Sequence, residues 1–177
     1  MPPTSYLTEF KKAANSLDRN SLAAKNLEIE VGVWLESVVL RLQKKAWVNN
    51  PDEKPHSDAS IFFSIWLNDE SVRKNRIFYN IHALKLRQLR GYKITSREFA
   101  AAFRAGFVHF EHLWPNVSTS FGPLTLMQGW KEFDPGNVRR DVFDIAARFL
   151  EIDSIIDELL YNRRFIHKTE DKGKKIK

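Results

Sequence analysis

The residue pattern predicts an α+β domain, and three observations carry that expectation. Short runs rich in aromatic and β-branched residues stand in the middle of the chain, at 60–67 and 76–86. Longer segments with apolar residues at spacings of three and four flank them. Clusters of turn formers separate the two kinds, as at 49–59, which holds two Pro, two Asn and two Asp. The 177 residues fit one domain, long enough to bury roughly 70% of its unfolded surface without disulfide staples.

Taken in order, Tyr6, Leu7, Phe10, Ala13 and Ala14 predict a short helix over 5–14. Leu27, Val31, Trp34, Leu35, Val38, Val39 and Leu42 continue the helical spacing and predict a second, longer helix over 21–46. Leu27 to Val31 also alternates like a strand, and Gly32 weakens a helix by about 1 kcal/mol relative to Ala. The stretch SIFFSIWL at 60–67 reads as a strand whose near-continuous apolarity suggests cover on both faces. In 76–86, Ile77, Tyr79, Ile81 and Ala83 point one way and Phe78, Asn80 and His82 the other. The apolar phase flips at Leu84 and Leu86, which calls for a β-bulge or the start of a helix ending at Gly91.

Thr95 and Glu98 match a capping box. Phe99, Phe103, Phe107 and Phe110 then predict a helix over 96–112, stopped by Trp114-Pro115-Asn116. A third strand is expected within 118–130, with Leu124, Leu126 and Gln128 on one side. Val142, Ile145, Ala146, Phe149, Ile152, Ile156, Leu159 and Leu160 mark the buried stripe of a terminal helix over 138–161. Residues 1–167 are thus expected to form one globular unit, and 168–177 a basic, disordered tail.

Composition narrows the function. With no Cys, disulfides, thiol catalysis and Cys-based zinc sites are excluded. No apolar run approaches the ~20 residues that cross a bilayer, and the N-terminus is not a secretory signal. A soluble, cytoplasmic protein without membrane contact is expected. Charge is concentrated. Residues 73–104 carry nine basic residues against one acid, or +8 in a chain whose net charge is +6.

Arg87, Arg90, Lys93 and Arg97 fall near one strand-to-helix junction, with Tyr92 among them to stack on a base. Helix N-termini favour anions, and phosphate is the natural partner. The plain alternative is a solvated face balanced by acids such as Glu151, Asp153, Asp157 and Glu158. His109 and His112, three apart with Glu111 between them, could give a metal two ligands. His82 or His56 would have to supply a third, and the plain alternative is two surface histidines. His82, with Tyr79, Asn80 and Lys85 nearby, is the acid–base candidate; a hydrogen-bonded structural histidine is its alternative.

The helix, strand, strand, helix, strand order invites comparison with the restriction-endonuclease-like fold. That chemistry needs an acid at one strand end, where Asp69 stands, and an acid two residues before a Lys. The chain offers Ala83-Leu84-Lys85 there, without the carboxylate, and Glu36 does not replace it. The glycines at 122 and 129 bracket a strand without forming a phosphate loop, and Ser118, Thr119 and Ser120 lack a serine elbow.

The favoured reading is a binding module whose basic segment meets nucleic acid or an acidic protein. The alternatives are an enzyme with a pocket near His82, including a degenerate nuclease-like fold, and an interaction subunit that buries Trp66 or Trp130 against a partner or a second copy. No cofactor is predicted, and the oligomeric state is not readable.

Overall fold

A computed structural model describes residues 4–50 and 58–165. The elements run α1 (Leu7–Ser16), α2 (Arg19–Ala24), β1 (Leu27–Trp34), β2 (Ser37–Lys44), β3 (Ser60–Leu67), α3 (Asp69–Arg73), β4 (Arg76–Leu84), α4 (Ser96–Phe107), β5 (Thr125–Glu132), α5 (Val138–Phe149) and α6 (Asp153–Tyr161). The class is α+β. One antiparallel sheet, in the order β1-β2-β3-β4-β5, carries the helical layer on one face.

The largest departure from the sequence pattern lies in 21–46. Only α2 and the start of a 3-10 turn at Lys45–Trp47 are helical there; between them runs the β1–β2 hairpin, in register from Leu27↔Lys44 to Trp34↔Ser37. Alternation wins over helical spacing because Ile29, Val31, Val33, Val38 and Val39 are β-branched and suit a pleated surface. Leu35 and Glu36 make the two-residue turn with φ of 49° and 62°, the type I′ geometry that Asn-Gly usually fills. Neither residue signals a turn.

Smaller departures have equally local causes. The stripe over 138–161 is buried as expected, but Leu150 to Ile152 break it into α5 and α6. Helix α4 ends at Phe107, and a 3-10 turn at Glu111–Leu113 follows. The expected capping box is absent: the Thr95 side chain caps nothing, and Glu98 instead takes a two-pronged contact from Arg163 (Nε to Oε2, 3.0 Å). Strand β5 begins only at Thr125, while Ser118 bridges to Gln128 from outside it. The phase flip after Leu84 is made by Lys85 in the left-handed region (φ 52°) and a 3-10 turn at Leu86–Gln88. A register shift does occur in β4, at Ile81/His82 opposite β5. The expected basic tail lies outside the described residues.

The core sits between sheet and helices. Leu40, Leu42, Ile61, Phe63, Ile65, Tyr79 and Ile81 are all fully buried. Phe63 stacks on Phe149 of α5 at 4.3 Å between centroids. Beside this core, Lys44 of β2 is 6% exposed and lies 2.8 Å from Asp153 of α6. Asp157 contacts both Lys44 and the Trp47 indole nitrogen, and Lys25 reaches Asp153 at 3.1 Å. Burial opposes the Lys44 charge, but hydrogen bonds to Asp153 and Asp157 outweigh it and raise its pKa. This network pins α6 to β2, and it uses two of the acids that sequence reasoning offered to the basic segment.

Candidate functional site on the open sheet face

Among the described residues no helix packs on the far face of the sheet, yet 60–67 is covered on both sides as expected, since Ser60, Phe62 and Ser64 on that face are buried. Strand alternation places on it Glu30, Gly32 and Trp34 from β1, Val39 and Arg41 from β2, Phe62, Ser64 and Trp66 from β3, Phe78, Asn80 and His82 from β4, and Gln128 and Trp130 from β5. The register aligns these into rows. Glu30, Arg41, Ser64, Asn80 and Gln128 form a polar row across all five strands. Val39, Trp66, Phe78 and Trp130 lie on one side of it, and Phe62 and His82 on the other. Trp66 and Phe78 stack at 5.6 Å, and Arg76 lies 3.7 Å over Trp130. A cleft of about 380 Å³ opens between Trp34, Leu35, Arg41, Phe62, Trp66 and the polar row.

Gly32 shapes one wall. The Trp34 ring folds back over it, so close that a Cβ at position 32 would stand 3.0 Å from the ring. Arg41 lies beside that ring, its guanidinium 5.0 Å from the Trp34 centroid and 4.7 Å from the Phe62 centroid. The buried Nε of Arg41 has no hydrogen-bond partner, and the carboxylate opposite it in the register is Glu30. Burial lowers the Arg41 pKa and Glu30 across the pair raises it, yet a guanidinium keeps its charge in proteins.

The polar row has a fixed hydrogen-bond direction. Ser64 Oγ donates to Asn80 Oδ1 at 2.6 Å, between side chains 6% and 2% exposed. Asn80 Nδ2 must then donate, to His82 Nε2 at 2.9 Å and to Gln128 Oε1 at 3.4 Å. An accepting Nε2 makes His82 neutral with its proton on Nδ1. Burial lowers the His82 pKa, the Leu124 carbonyl pulls it upward and Arg41 adds to the lowering. Gln128, whose oxygen is engaged, keeps its amide hydrogens. The row therefore offers the cleft donors, from Arg41 and Gln128.

The residues expected from sequence fare differently. His82 and Asn80 share the open face as the alternation predicts, but Tyr79 points into the core and donates to the Pro115 carbonyl at 2.6 Å. Lys85 stands beyond the strand end, in its own left-handed turn. His82 exposes no nitrogen for proton transfer: Nε2 is engaged by Asn80, and Nδ1 is buried without a hydrogen-bond partner.

The basic segment is divided by β4 itself. Arg73 and Lys74 precede it, with Lys74 paired to Glu70 at 2.8 Å, and Lys85 to Arg97 follow it. Nine residues of strand span about 30 Å, well beyond the ~8 Å over which salt screens exposed charges. Arg104 is structural, donating to the carbonyls of Phe121, Gly122, Thr125 and Leu126. Arg87, Arg90, Lys93 and Arg97 are exposed, and Tyr92 is half-buried and bridges to Arg164. The backbone N–H of Arg90 donates to Asn49, and that of Lys93 to Arg163. None of the five lines the cleft.

His109 and His112 are exposed and follow the end of α4, so they do not share an α-helical face. His56 lies outside the described residues, among which no group of three metal-ligating side chains forms. Asp69 and Lys85 sit at opposite ends of β3 and β4, since Ser60 pairs with Leu84. The nuclease comparison therefore fails on geometry as well as on its missing carboxylate.

Sequence reasoning missed Arg41, Trp34, Ser64 and Gln128. The first two were hidden in the segment read as a helix; strand alternation through 60–67 and 76–84 would have paired Ser64 with Asn80. No protein-family model, curated protein or solved structure matches the chain.

Proposed function

We propose that this protein is a binding module for a small organic anion, held in the cleft of the open sheet face with its acidic group on Arg41. One observation carries the reading: a guanidinium half-buried on two aromatic rings, its buried Nε without a hydrogen-bond partner. Buried charges are normally paired, and a bound carboxylate or phosphate would supply the missing acceptor through charge-assisted hydrogen bonds. The donor-rich polar row favours the same ligand. Trp34, Leu35, Val39 and Trp66 give the apolar end of the cleft, which suits a flat or aliphatic body, and the volume lies within the ~300–1,000 Å³ of ordinary ligand sites. Among the described residues of the cleft, Ser64 and His82 both turn to Asn80 and not to one another, which favours binding over catalysis. The nucleic-acid reading of Arg87, Arg90, Lys93 and Arg97 belongs to a different surface.

Trp34 and Trp66 line the cleft, so their emission reports occupancy. Titration with aromatic carboxylates, aliphatic carboxylates and phosphate monoesters should find saturable quenching in one of these classes. Arg41→Met keeps the apolar stem and removes the charge. It should weaken that ligand by one to two factors of ten, the weight of a charged hydrogen bond of about 1.5–3 kcal/mol. Equal affinity in Arg41→Met, or no response to any class, would refute the reading.

A further inference from the structure

We infer that the free edge of β1 pairs with the same edge of a second copy, joining two sheets into one continuous ten-stranded antiparallel sheet. The inference stands on the backbone of β1 and is independent of the cleft.

The two edges of the sheet are treated differently. At β5 the outer edge is interrupted, because Ser118 exchanges hydrogen bonds with Gln128 (2.8 and 3.0 Å) and the pairing with β4 is irregular. At β1 the protections are few: Glu28 and Glu30 are its only charged side chains. The strand is eight residues long, keeps unbroken register with β2, and contains neither Pro nor Lys. Among the described residues no segment pairs with its outer side. A long regular edge of this kind is a template for another strand.

The turn decides which groups face outward. A two-residue hairpin makes its flanking residues, Trp34 and Ser37, a hydrogen-bonded pair. Trp34, Gly32, Glu30 and Glu28 therefore bond inward to β2. Val33, Val31, Ile29 and Leu27 direct their N–H and C=O groups away from the sheet. Ile29 and Val31 are only partly buried, and Val33 is 40% exposed. At Ile29, Val31 and Val33 the outward backbone thus belongs to residues whose apolar side chains are incompletely covered, while Leu27 is buried.

A second copy satisfies both in one register. Antiparallel pairing about a two-fold axis at Val31 sets Val31 against Val31 of the second copy and Ile29 against its Val33. All of these are outward-bonding residues, so each of the three resulting pairs exchanges two backbone hydrogen bonds. On the open face Glu30 falls opposite Gly32 of the second copy and Glu28 opposite its Trp34. Moving the axis one residue back, to Glu30, would set Glu30 against itself, and like charges directly opposed are unfavourable. The acids therefore disfavour the Glu30 register and leave the Val31 register without opposed charges.

The test uses the absence of Cys from the chain. Val31→Cys places two thiols across a hydrogen-bonded pair, with Cα atoms about 5.5 Å apart, inside the roughly 4.4–6.8 Å range of a disulfide. Ile29→Cys alone places them four residues apart along the strand, about 13 Å, and should not link. Ile29→Cys mixed with Val33→Cys should. Sedimentation of the wild type should show a monomer–dimer equilibrium, and oxidation should follow this pattern. Should Val31→Cys fail to fold, the Ile29→Cys and Val33→Cys mixture decides alone. A wild type that stays monomeric at its highest soluble concentration overturns the inference. So does a dimer that neither pairing captures, or one in which Ile29→Cys alone links as fast as Val31→Cys.

Discussion

Tyr79 and Gly129 are fitted to one another across β4 and β5: the phenol lies over the glycine while its hydroxyl donates to the Pro115 carbonyl at 2.6 Å. A Cβ at position 129 would overlap the phenol oxygen and stand 3.0 Å from the Pro115 oxygen. Tyr79 is fully buried and cannot swing away. Gly129→Ala should therefore destabilise the fold by about 3 kcal/mol, the upper part of the overpacking range. Tyr79→Phe should cost about 1 kcal/mol by removing the hydrogen bond to the part-buried Pro115 carbonyl. The double variant should lose less than the sum, because the phenol oxygen is the atom struck. Urea unfolding of the four proteins measures the coupling.

Asp153 is the second test of a buried contact. It is 1% exposed and meets both Lys44 and Lys25. Asp153→Asn should cost about 3 kcal/mol, since removing one member leaves a buried charge undercompensated. Lys44 keeps Asp157, which holds the loss at the low end. Thermal unfolding should show a lowered midpoint.

His82 should give the stability a dependence on pH. Its folded pKa is lowered from the ordinary 6.5, mainly by burial. The unfolded chain then binds the proton more readily, so stability is full above about 6.5. It is lost as pH falls through the lower folded value. Protonation would also set two N–H groups against each other at Nε2 and Asn80. His82→Gln keeps an acceptor for Asn80 and cannot titrate. Unfolding midpoints of this variant should fall less steeply below pH 6.5 than those of the wild type; parallel slopes would rule out His82 as the source.

The β1–β2 turn is the place to gain stability. Leu35 and Glu36 both hold positive φ, which costs roughly 1–2 kcal/mol for each residue with a Cβ. Leu35 is also 99% exposed, so little packing offsets that strain. Replacing the pair with Asn-Gly should stabilise the fold by about 1–2 kcal/mol, measurable by chemical denaturation. Because Leu35 borders the cleft, the same variant reports on its part in ligand binding.

That turn also explains what was legible in the sequence. Strands β3 and β4 declare themselves through aromatic and β-branched runs bounded by turn formers, and the two faces of β4 follow from alternation alone. The helices with long apolar stripes do likewise. The β1–β2 hairpin has no punctuation at Leu35-Glu36, and the cleft residue Val39 adds an apolar side chain between Val38 and Leu40 that hides the two-residue period. Once the hairpin was read as helix, Trp34 and Arg41 could not be placed on a sheet. The candidate site is therefore largely a property of strand register, while the basic segment, conspicuous in one dimension, is parted by the length of β4 in three.

The strand order β1-β2-β3-β4-β5 has a kinetic consequence. Every strand bonds to its neighbour in the chain, so the sheet can grow by successive closures, tight at the β1–β2 turn and longest across 85–124, which carries α4. The helical layer joins distant sequence: α1 packs against α5, and Asp153 of α6 reaches Lys44. Those contacts should form after the rate-limiting barrier. Phe10→Leu, in the buried face of α1, should then accelerate unfolding and leave refolding nearly unchanged in stopped-flow traces. The lifetime of the native protein would be set where its two ends meet, and its speed of formation by the meander between them.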